Sequence, residues 1–174
     1  MNRWVLIIGL LMTAPLVAIL GSGFGKDPHA IKSPLVGRAA PTFKLRPLDG
    51  QEPVGLNENP QPTVLNFWAT WCRPCVAEHG VLTAAANRYR GKVRFLGVVY
   101  EDTEPRIKAY LKRSGAAYPM LIDEAGKTAI AYGVYGVPET FFVGADGTIK
   151  AKHAGALNPQ NIDGYIKQIL ETQP

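Results

Sequence analysis

The chain has 174 residues, 47% of them hydrophobic and 19% charged, which fits one globular domain with an N-terminal appendage and excludes a disordered chain. Its formal net charge is +5, but the sequence has no lysine or arginine cluster with interleaved aromatic residues, so we do not expect it to bind nucleic acid. Its two cysteines are Cys72 and Cys75, and a bridge across so short a loop does little to stabilise a fold.

An uncharged apolar run occupies residues 4–20, and Arg3 precedes it. Together with residues 21–24 it approaches the roughly 20 residues that cross a bilayer, and the preceding positive charge predicts an N-terminus on the inner side. We therefore expect residues 1–24 to form a membrane anchor. A cleaved signal sequence is the alternative, although no clear Ala-x-Ala site follows the run. Residues 25–38 then form a polar linker, and residues 39–174 form the exported domain.

Hydrophobic periodicity predicts alternating strands and helices from residue 41 onwards. Strands are expected at 41–45 (an edge strand), 63–68, 93–100, 120–123, 140–143 and 148–153, the last two forming a hairpin. Helices are expected at 72–89, 103–113 and 127–132, with a last helix starting at 159. A turn is expected at 48–51 and a loop at 53–62. This order predicts an α/β fold with a central mixed β-sheet flanked by helices.

The cysteine pair lies where a buried strand turns into a helix. At the helix start, free backbone amides and the helix dipole favour negative charge, so the pKa of the Cys72 thiol is expected to fall and Cys72 to act as the nucleophile. Cys75, one turn further on, can attack a mixed disulfide formed on Cys72. Pro74 has a backbone φ suited to a first helical turn. The pattern therefore predicts a reversible redox disulfide between Cys72 and Cys75.

Two other uses of a Cys-x-x-Cys pair were weighed. A closed zinc site needs four ligands, and only His29, His79 and His153 could add to the cysteines, so we expect no metal. A c-type haem attachment site needs a histidine directly after the second cysteine, where this chain has Val76. Dithiol exchange also suits this spacing better than peroxide cleavage does.

Residues 71–75 (Trp-Cys-Arg-Pro-Cys) on a strand-to-helix turn resemble the thioredoxin superfamily. Three further segments, 77–79, 133–141 (Gly-Val-Tyr-Gly-Val-Pro-Glu-Thr-Phe) and 153–159 (His-Ala-Gly-Ala-Leu-Asn-Pro), are similar to the CcmG (DsbE) family. Members of that family are membrane-anchored periplasmic proteins of cytochrome c maturation. The resemblance spans roughly residues 36–172 and implies a thioredoxin-like fold with a central insertion.

The resemblance also implies a substrate site around the cysteines. It implies that the Val137–Pro138 bond is cis and lies against the pair, with the Val137 backbone offered to an extended substrate chain. Trp71, Arg73 and Pro74 complete the expected substrate-binding residues. Glu139, next to Pro138, is expected to lie beside the thiols and to raise their pKa by like-charge repulsion.

Glu78 is the candidate proton-transfer group. Thioredoxins commonly carry a buried aspartate at the strand position of Asn66, and Asn66 cannot titrate. Glu78 lies three residues after Cys75, on the same helix face, and we hypothesise that it moves a proton to or from Cys75. The alternative is an exposed first-turn glutamate favoured by the helix dipole. His79 is expected to be a partly buried structural residue, with a third metal ligand as the alternative.

The resemblance implies reduction of disulfides in apocytochrome c, or in its thiol carrier, before haem ligation. A membrane reductase of the DsbD or CcdA type would supply the electrons, and no cofactor is expected. Two alternatives remain open at this point. One is a copper-handling or oxidase-assembly protein of the TlpA type, and the other is a general exported disulfide oxidase or isomerase.

Overall fold

The computed structural model describes residues 3–4, 11–15, 33–56, 58 and 60–171. Residues 3–4 and 11–15 are helical and belong to a unit, residues 1–30, that is separate from the body formed by residues 31–174. Most of the predicted anchor and the first part of the predicted linker lie outside the described residues. Within the described ranges, none of the helices combines the length and the apolar character that a bilayer crossing requires.

The body alternates strands and helices, as the periodicity predicted. The strands are β1 (Lys44–Pro47), β2 (Val54–Gly55), β3 (Thr63–Trp68), β4 (Arg94–Val99), β5 (Met120–Ile122), β6 (Glu139–Val143) and β7 (Ile149–Ala154). The helices are α1 (Arg73–Arg88), α2 (Glu104–Ser114), α3 (Lys127–Ala131) and α4 (Pro159–Glu171). Asn158 caps α4, since its Oδ1 accepts hydrogen bonds from the amides of Gln160 and Asn161 at 3.0 and 2.9 Å.

In the described part of the body, seven strands form one sheet in the order β2-β1-β5-β4-β3-β6-β7. Strands β3, β4 and β5 run parallel, whereas β6 is antiparallel to β3, β7 to β6, and β1 to both β5 and β2. The mixed sheet expected from the sequence is therefore confirmed. All six residues of β3 are buried, because helices or chain segments cover both faces of the sheet.

Alternation along the strands sends side chains to two separate cores. Val64 and Trp68 of β3 pack on one face with α1, α2 and α4, which we call the α1 face. Leu65 and Phe67 pack on the other face with α3, which we call the α3 face. By the same alternation, Asn66 lies on the α1 face and Glu139, paired in register with Phe67, lies on the α3 face. The two sides of the sheet thus receive different predicted site residues.

Three segments are placed differently from the sequence-based expectations, beyond shifts of one residue at the ends of other elements. The expected edge strand at 41–45 is found at Lys44–Pro47 and lies inside the sheet, between β5 and β2. The edge strand on this side of the sheet is β2, in a segment expected to be loop. Residues 33–38, expected to be linker, belong to the body, because the Gly37 amide donates to the Ile149 carbonyl at 2.8 Å and the Ile149 amide donates to the Arg38 carbonyl at 2.9 Å. These segments are too short to show an alternating hydrophobic pattern. Their position depends on hydrogen bonds to strands that are distant in the sequence, so it could not be predicted locally.

Candidate active site

Cys72 and Cys75 form a disulfide at the N-terminus of α1. Cys72 is the N-cap residue of the helix, and its Sγ accepts a hydrogen bond from the Cys75 amide at 3.1 Å. The same amide would face the negative sulfur when Cys72 is a thiolate, which is the arrangement that activates a cysteine. Both cysteines are buried, whereas Trp71, Arg73 and Pro74 around them are exposed. The predicted redox pair is therefore surrounded by residues that a protein substrate can reach.

The Val137–Pro138 peptide bond is cis, as the resemblance implied. The Val137 carbonyl oxygen lies 3.4 Å from Cys72 Sγ, while Pro138 is buried and its carbonyl accepts a hydrogen bond from the Gly155 amide at 2.8 Å. The backbone expected to receive an extended substrate chain thus lies against Cys72 Sγ, the sulfur of the predicted nucleophile. In the reduced protein, the Cys72 thiol could donate to this carbonyl.

The loop after β4 holds the segment that leads into Cys72. The Asp102 carboxylate accepts hydrogen bonds from the amide and the hydroxyl of Thr70, at 2.7 and 2.5 Å. The Trp71 indole nitrogen donates to the Glu101 carbonyl at 3.0 Å, and Glu101 has a φ of 45°. These contacts were not predicted from the sequence. They could have been predicted, because β3 and β4 are adjacent parallel strands and their carboxyl ends lie at the same edge of the sheet. Thr70 follows β3 and Asp102 follows β4, so the two residues are brought close together.

Glu78 is buried in a hydrogen-bonded network on the α1 face and is 1% exposed. Its Oε1 accepts from the Asn66 amide group at 2.9 Å, and its Oε2 accepts from the Leu157 backbone amide at 2.7 Å. Asn66 also donates to the Thr140 hydroxyl at 3.0 Å. Burial raises the pKa of Glu78 to about 7, although both hydrogen bonds act in the opposite direction. The alternative of an exposed first-turn glutamate is excluded, and a carboxyl that titrates near neutrality lies one turn from Cys75.

Glu139 is also buried, but a cation faces it. Lys152 Nζ lies 2.8 Å from Glu139 Oε2, and the Tyr135 amide donates to Glu139 Oε1 at 3.4 Å. The expectation that Glu139 raises the pKa of the thiols by like-charge repulsion requires its carboxylate to lie beside the thiols with no cation near it. The structure corrects that expectation in two respects, because Lys152 neutralises the carboxylate and the side chain lies on the α3 face. Lys152 was not anticipated from the sequence.

The histidines weighed as metal ligands have other contacts. His79 is buried, its Nε2 donates to the Gly115 carbonyl at 3.0 Å, and its ring packs against Tyr110 and Trp68. His153 is half-buried near the Tyr165 hydroxyl, and His29 lies outside the described residues. In the described part of the chain, no group of three or more His, Cys, Asp or Glu side chains is arranged to hold a metal ion.

Comparison with known proteins agrees with this site. The model of the AhpC/TSA family matches residues 36–152. The thiol:disulfide interchange protein DsbE of Escherichia coli K12 is 36% identical over 98% of this chain and 96% of its own length. The DsbE protein of Haemophilus influenzae is 38% identical over 95% of this chain and 92% of its own.

Solved structures show the same similarity. A putative thiol:disulfide interchange protein DsbE from Chlorobium tepidum superposes with a TM-score of 0.70 at 26% identity, covering 78% of this chain and 96% of that one. Mycobacterium tuberculosis DsbF, in mixed oxidised and reduced forms, gives a TM-score of 0.67 at 26% identity, covering 73% and 94%. The thioredoxin-like fold and the oxidised Cys72–Cys75 pair together support disulfide exchange. The chain therefore belongs to the AhpC/TSA family and to the DsbE thiol:disulfide interchange proteins, and it is a protein-disulfide oxidoreductase.

Proposed function

We propose that this protein reduces disulfides of apocytochrome c, or of the thiol protein that carries it, during cytochrome c maturation. One observation carries the proposal: the two segments that most resemble the CcmG (DsbE) family, 133–141 and 153–159, meet at the disulfide. The Gly155 amide of one segment donates to the Pro138 carbonyl of the other, and the Val137 carbonyl lies 3.4 Å from Cys72 Sγ. The family-specific residues are therefore concentrated at the redox pair.

The proposed reaction moves two electrons from the protein to its substrate. In the reduced protein, the Cys72 thiolate attacks one sulfur of the substrate disulfide, forms a mixed disulfide and releases the other substrate sulfur as a thiolate. The Cys75 thiolate then attacks Cys72 Sγ, releases the second substrate thiol and closes the Cys72–Cys75 disulfide. This oxidised state is the one in the structure. A dithiol donor of the DsbD or CcdA type would restore the reduced form by the reverse exchange.

Glu78 would receive the proton that Cys75 must lose before it attacks. Residues three apart on a helix are neighbours, so the carboxyl and the thiol lie on one face of α1. A group whose pKa is about 7 can accept a proton at neutral pH and return it in the same cycle. Asn66 cannot take this role, and it serves here as a hydrogen-bond donor to Glu78.

We further propose that residues 1–24 anchor the protein in the bacterial inner membrane with the catalytic domain in the periplasm. The support is the uncharged run at 4–20 with Arg3 before it. Alkaline carbonate extraction of cells expressing the full chain tests this. An anchored protein stays in the membrane pellet at its full length, whereas a shortened protein in the soluble periplasmic fraction would establish a cleaved signal sequence.

A mixed-disulfide trap tests the substrate. In the Cys75→Ala variant, adducts on Cys72 cannot be resolved, so the covalent partners in the native host can be isolated and identified. Apocytochrome c or a cytochrome-maturation thiol protein is the expected partner. The matched control is the Cys72→Ala/Cys75→Ala double variant, which should trap nothing. Capture of a copper protein, or of many unrelated exported proteins, would overturn the cytochrome proposal and leave the disulfide exchange in place.

A further inference from the structure

A buried ion pair lies next to the active site and takes no part in the exchange chemistry described above. Lys152 of β7 has a side chain that is only 5% exposed, and its Nζ lies 2.8 Å from Glu139 Oε2 of β6. Lysine is almost never buried unless it is paired, because removing its charge from water is costly. A buried pair of this kind is often no more stabilising than apolar side chains of similar volume. A gain in stability is therefore not a sufficient reason for this chain to bury Lys152 and Glu139, and the other groups that the pair contacts suggest a second role.

The pair holds the loop at residues 133–138, which we call the cis-proline loop. Lys152 Nζ donates to the Gly133 carbonyl at 3.4 Å and lies 4.9 Å from the centre of the Tyr135 ring, a cation–π distance. Glu139 Oε1 accepts from the Tyr135 amide at 3.4 Å. Lys152 and Glu139, which lie on adjacent strands, thus contact the cis-proline loop at its start (Gly133) and at its middle (Tyr135).

The same loop carries the groups that a substrate would meet. The Val137 carbonyl lies against Cys72 Sγ, and the Tyr135 side chain is 61% exposed although its ring contacts the buried ammonium. An extended polypeptide that pairs with the Val137 backbone would pass close to this ring. A small disulfide that reacts at Cys72 alone has no need of either group.

We propose that Lys152, together with Glu139, is a positioning residue that holds the cis-proline loop in the conformation that receives polypeptide disulfides at Cys72. Lys152 contacts neither sulfur, so it acts through the loop. The inference concerns disulfide exchange itself and holds whether or not the substrate is apocytochrome c.

Three variants of the full chain test the proposal. Lys152→Met keeps the length of the side chain but removes the charge and the donor to Gly133. Lys152→Arg retains both. Lys150→Met is the matched control, since Lys150 lies on the same strand but pairs with Asp146 at 2.7 Å in the hairpin turn. Each reduced variant is reacted with a disulfide-bonded Cys-x-x-Cys peptide and, separately, with the small disulfide 5,5′-dithiobis(2-nitrobenzoic acid).

We expect Lys152→Met to slow reduction of the peptide about tenfold, because misplacing a binding group costs rate, and to change the rate with the small disulfide less than about twofold. Lys152→Arg should recover most of the peptide rate, and Lys150→Met should match the wild type with both substrates. Equal losses with the two substrates, or no loss with the peptide, would overturn the proposal.

A second variant keeps the test decisive if Lys152→Met does not fold. Tyr135→Ala removes an exposed ring and leaves the buried ion pair in place. It should slow the peptide reaction about threefold, the loss of one surface contact, and leave the small-disulfide rate unchanged. If Tyr135→Ala affects neither substrate or both equally, the cis-proline loop does not discriminate polypeptides, and the proposed role of Lys152 is wrong.

Discussion

Two glutamates, Glu78 and Glu139, are each 1% exposed, and they lie on opposite faces of the same sheet. Glu78, on the α1 face, accepts hydrogen bonds from two neutral donors, the side chain of Asn66 and the amide of Leu157. Glu139, on the α3 face, is met by the ammonium of Lys152. Glu78 lies one turn after Cys75 on α1, and Glu139 directly follows Pro138 in the chain.

The difference shows that burial alone does not decide what a carboxyl group does. Desolvation penalises the charged form, and two neutral hydrogen bonds only partly offset it at Glu78, so its pKa rises to about 7. At Glu139 the ammonium of Lys152 lies 2.8 Å from the carboxylate, and the two side chains form a buried ion pair. The α1 face therefore holds a buried carboxyl with a pKa near neutrality, which we propose carries the Cys75 proton. The α3 face holds an ion pair, which we propose positions the cis-proline loop.

The largest effect is expected from breaking the ion pair. Glu139→Gln leaves the Lys152 ammonium buried without its anion, and we expect the free energy of unfolding to fall by about 3–5 kcal/mol, the usual cost of removing one partner of such a pair. Urea denaturation of the oxidised protein measures it. The double variant Glu139→Gln/Lys152→Met removes both charges and should recover much of the loss. Losses that simply add in the double variant would show that the two side chains do not act as a pair.

The next effect is a pH dependence of stability that the buried Glu78 carboxyl should produce. The native pKa of about 7 exceeds the ordinary carboxyl value of 4.5, so between these pH values the folded protein keeps a proton that the unfolded chain has released. Stability should therefore fall as pH rises from about 4.5 to 7 and level off above, by about 3 kcal/mol in total.

Urea denaturation at pH 4.5, 6, 7 and 8 measures this slope. Glu78→Gln cannot titrate and should lose this slope. Glutamine has one acceptor oxygen for the two donors of Asn66 and Leu157, so one donor faces the new NH2 group at a cost of about 1–3 kcal/mol. The difference in unfolding free energy between wild type and variant should then shrink as the pH rises. Parallel stability curves for the two proteins would contradict the assignment.

Local patterns predicted the parts of the site that lie close together in the chain. The start of α1 at Cys72, the cap of α4 at Asn158 and the buried strand β3 follow from a few adjacent residues each, and the structure confirms them. Asn66 and Glu78 are twelve residues apart, and their sequence pattern marked both as candidates but did not predict the hydrogen bond between them.

The Lys152–Glu139 pair could not be predicted in the same way. All five residues of β6 are buried, so no alternation of polar and apolar residues shows which face Glu139 occupies. A register irregularity between Phe142 and Val143 further hides which residues of β7 meet it. The Leu157 amide, 79 residues after Glu78, is a long-range partner supplied by the segment before α4. Contacts of this kind depend on the packing of the whole sheet.

The smallest expected effect is catalytic, and it tests the comparison most directly. If Glu78 carries the proton of Cys75, the rate of peptide disulfide reduction should show an inflection near pH 7, the pKa of Glu78 in the folded protein. Glu78→Gln should remove that inflection and slow the reaction at pH 7 about tenfold, which is less than the rate enhancement that a positioned acid or base usually provides.

Glu139→Gln, which alters the other buried carboxyl, is the control. It should lower the rate by disturbing the cis-proline loop but keep the inflection. If the inflection survives in Glu78→Gln and disappears in Glu139→Gln, the proton passes through Glu139 and not through Glu78, and the proposed roles of the two carboxyls are wrong.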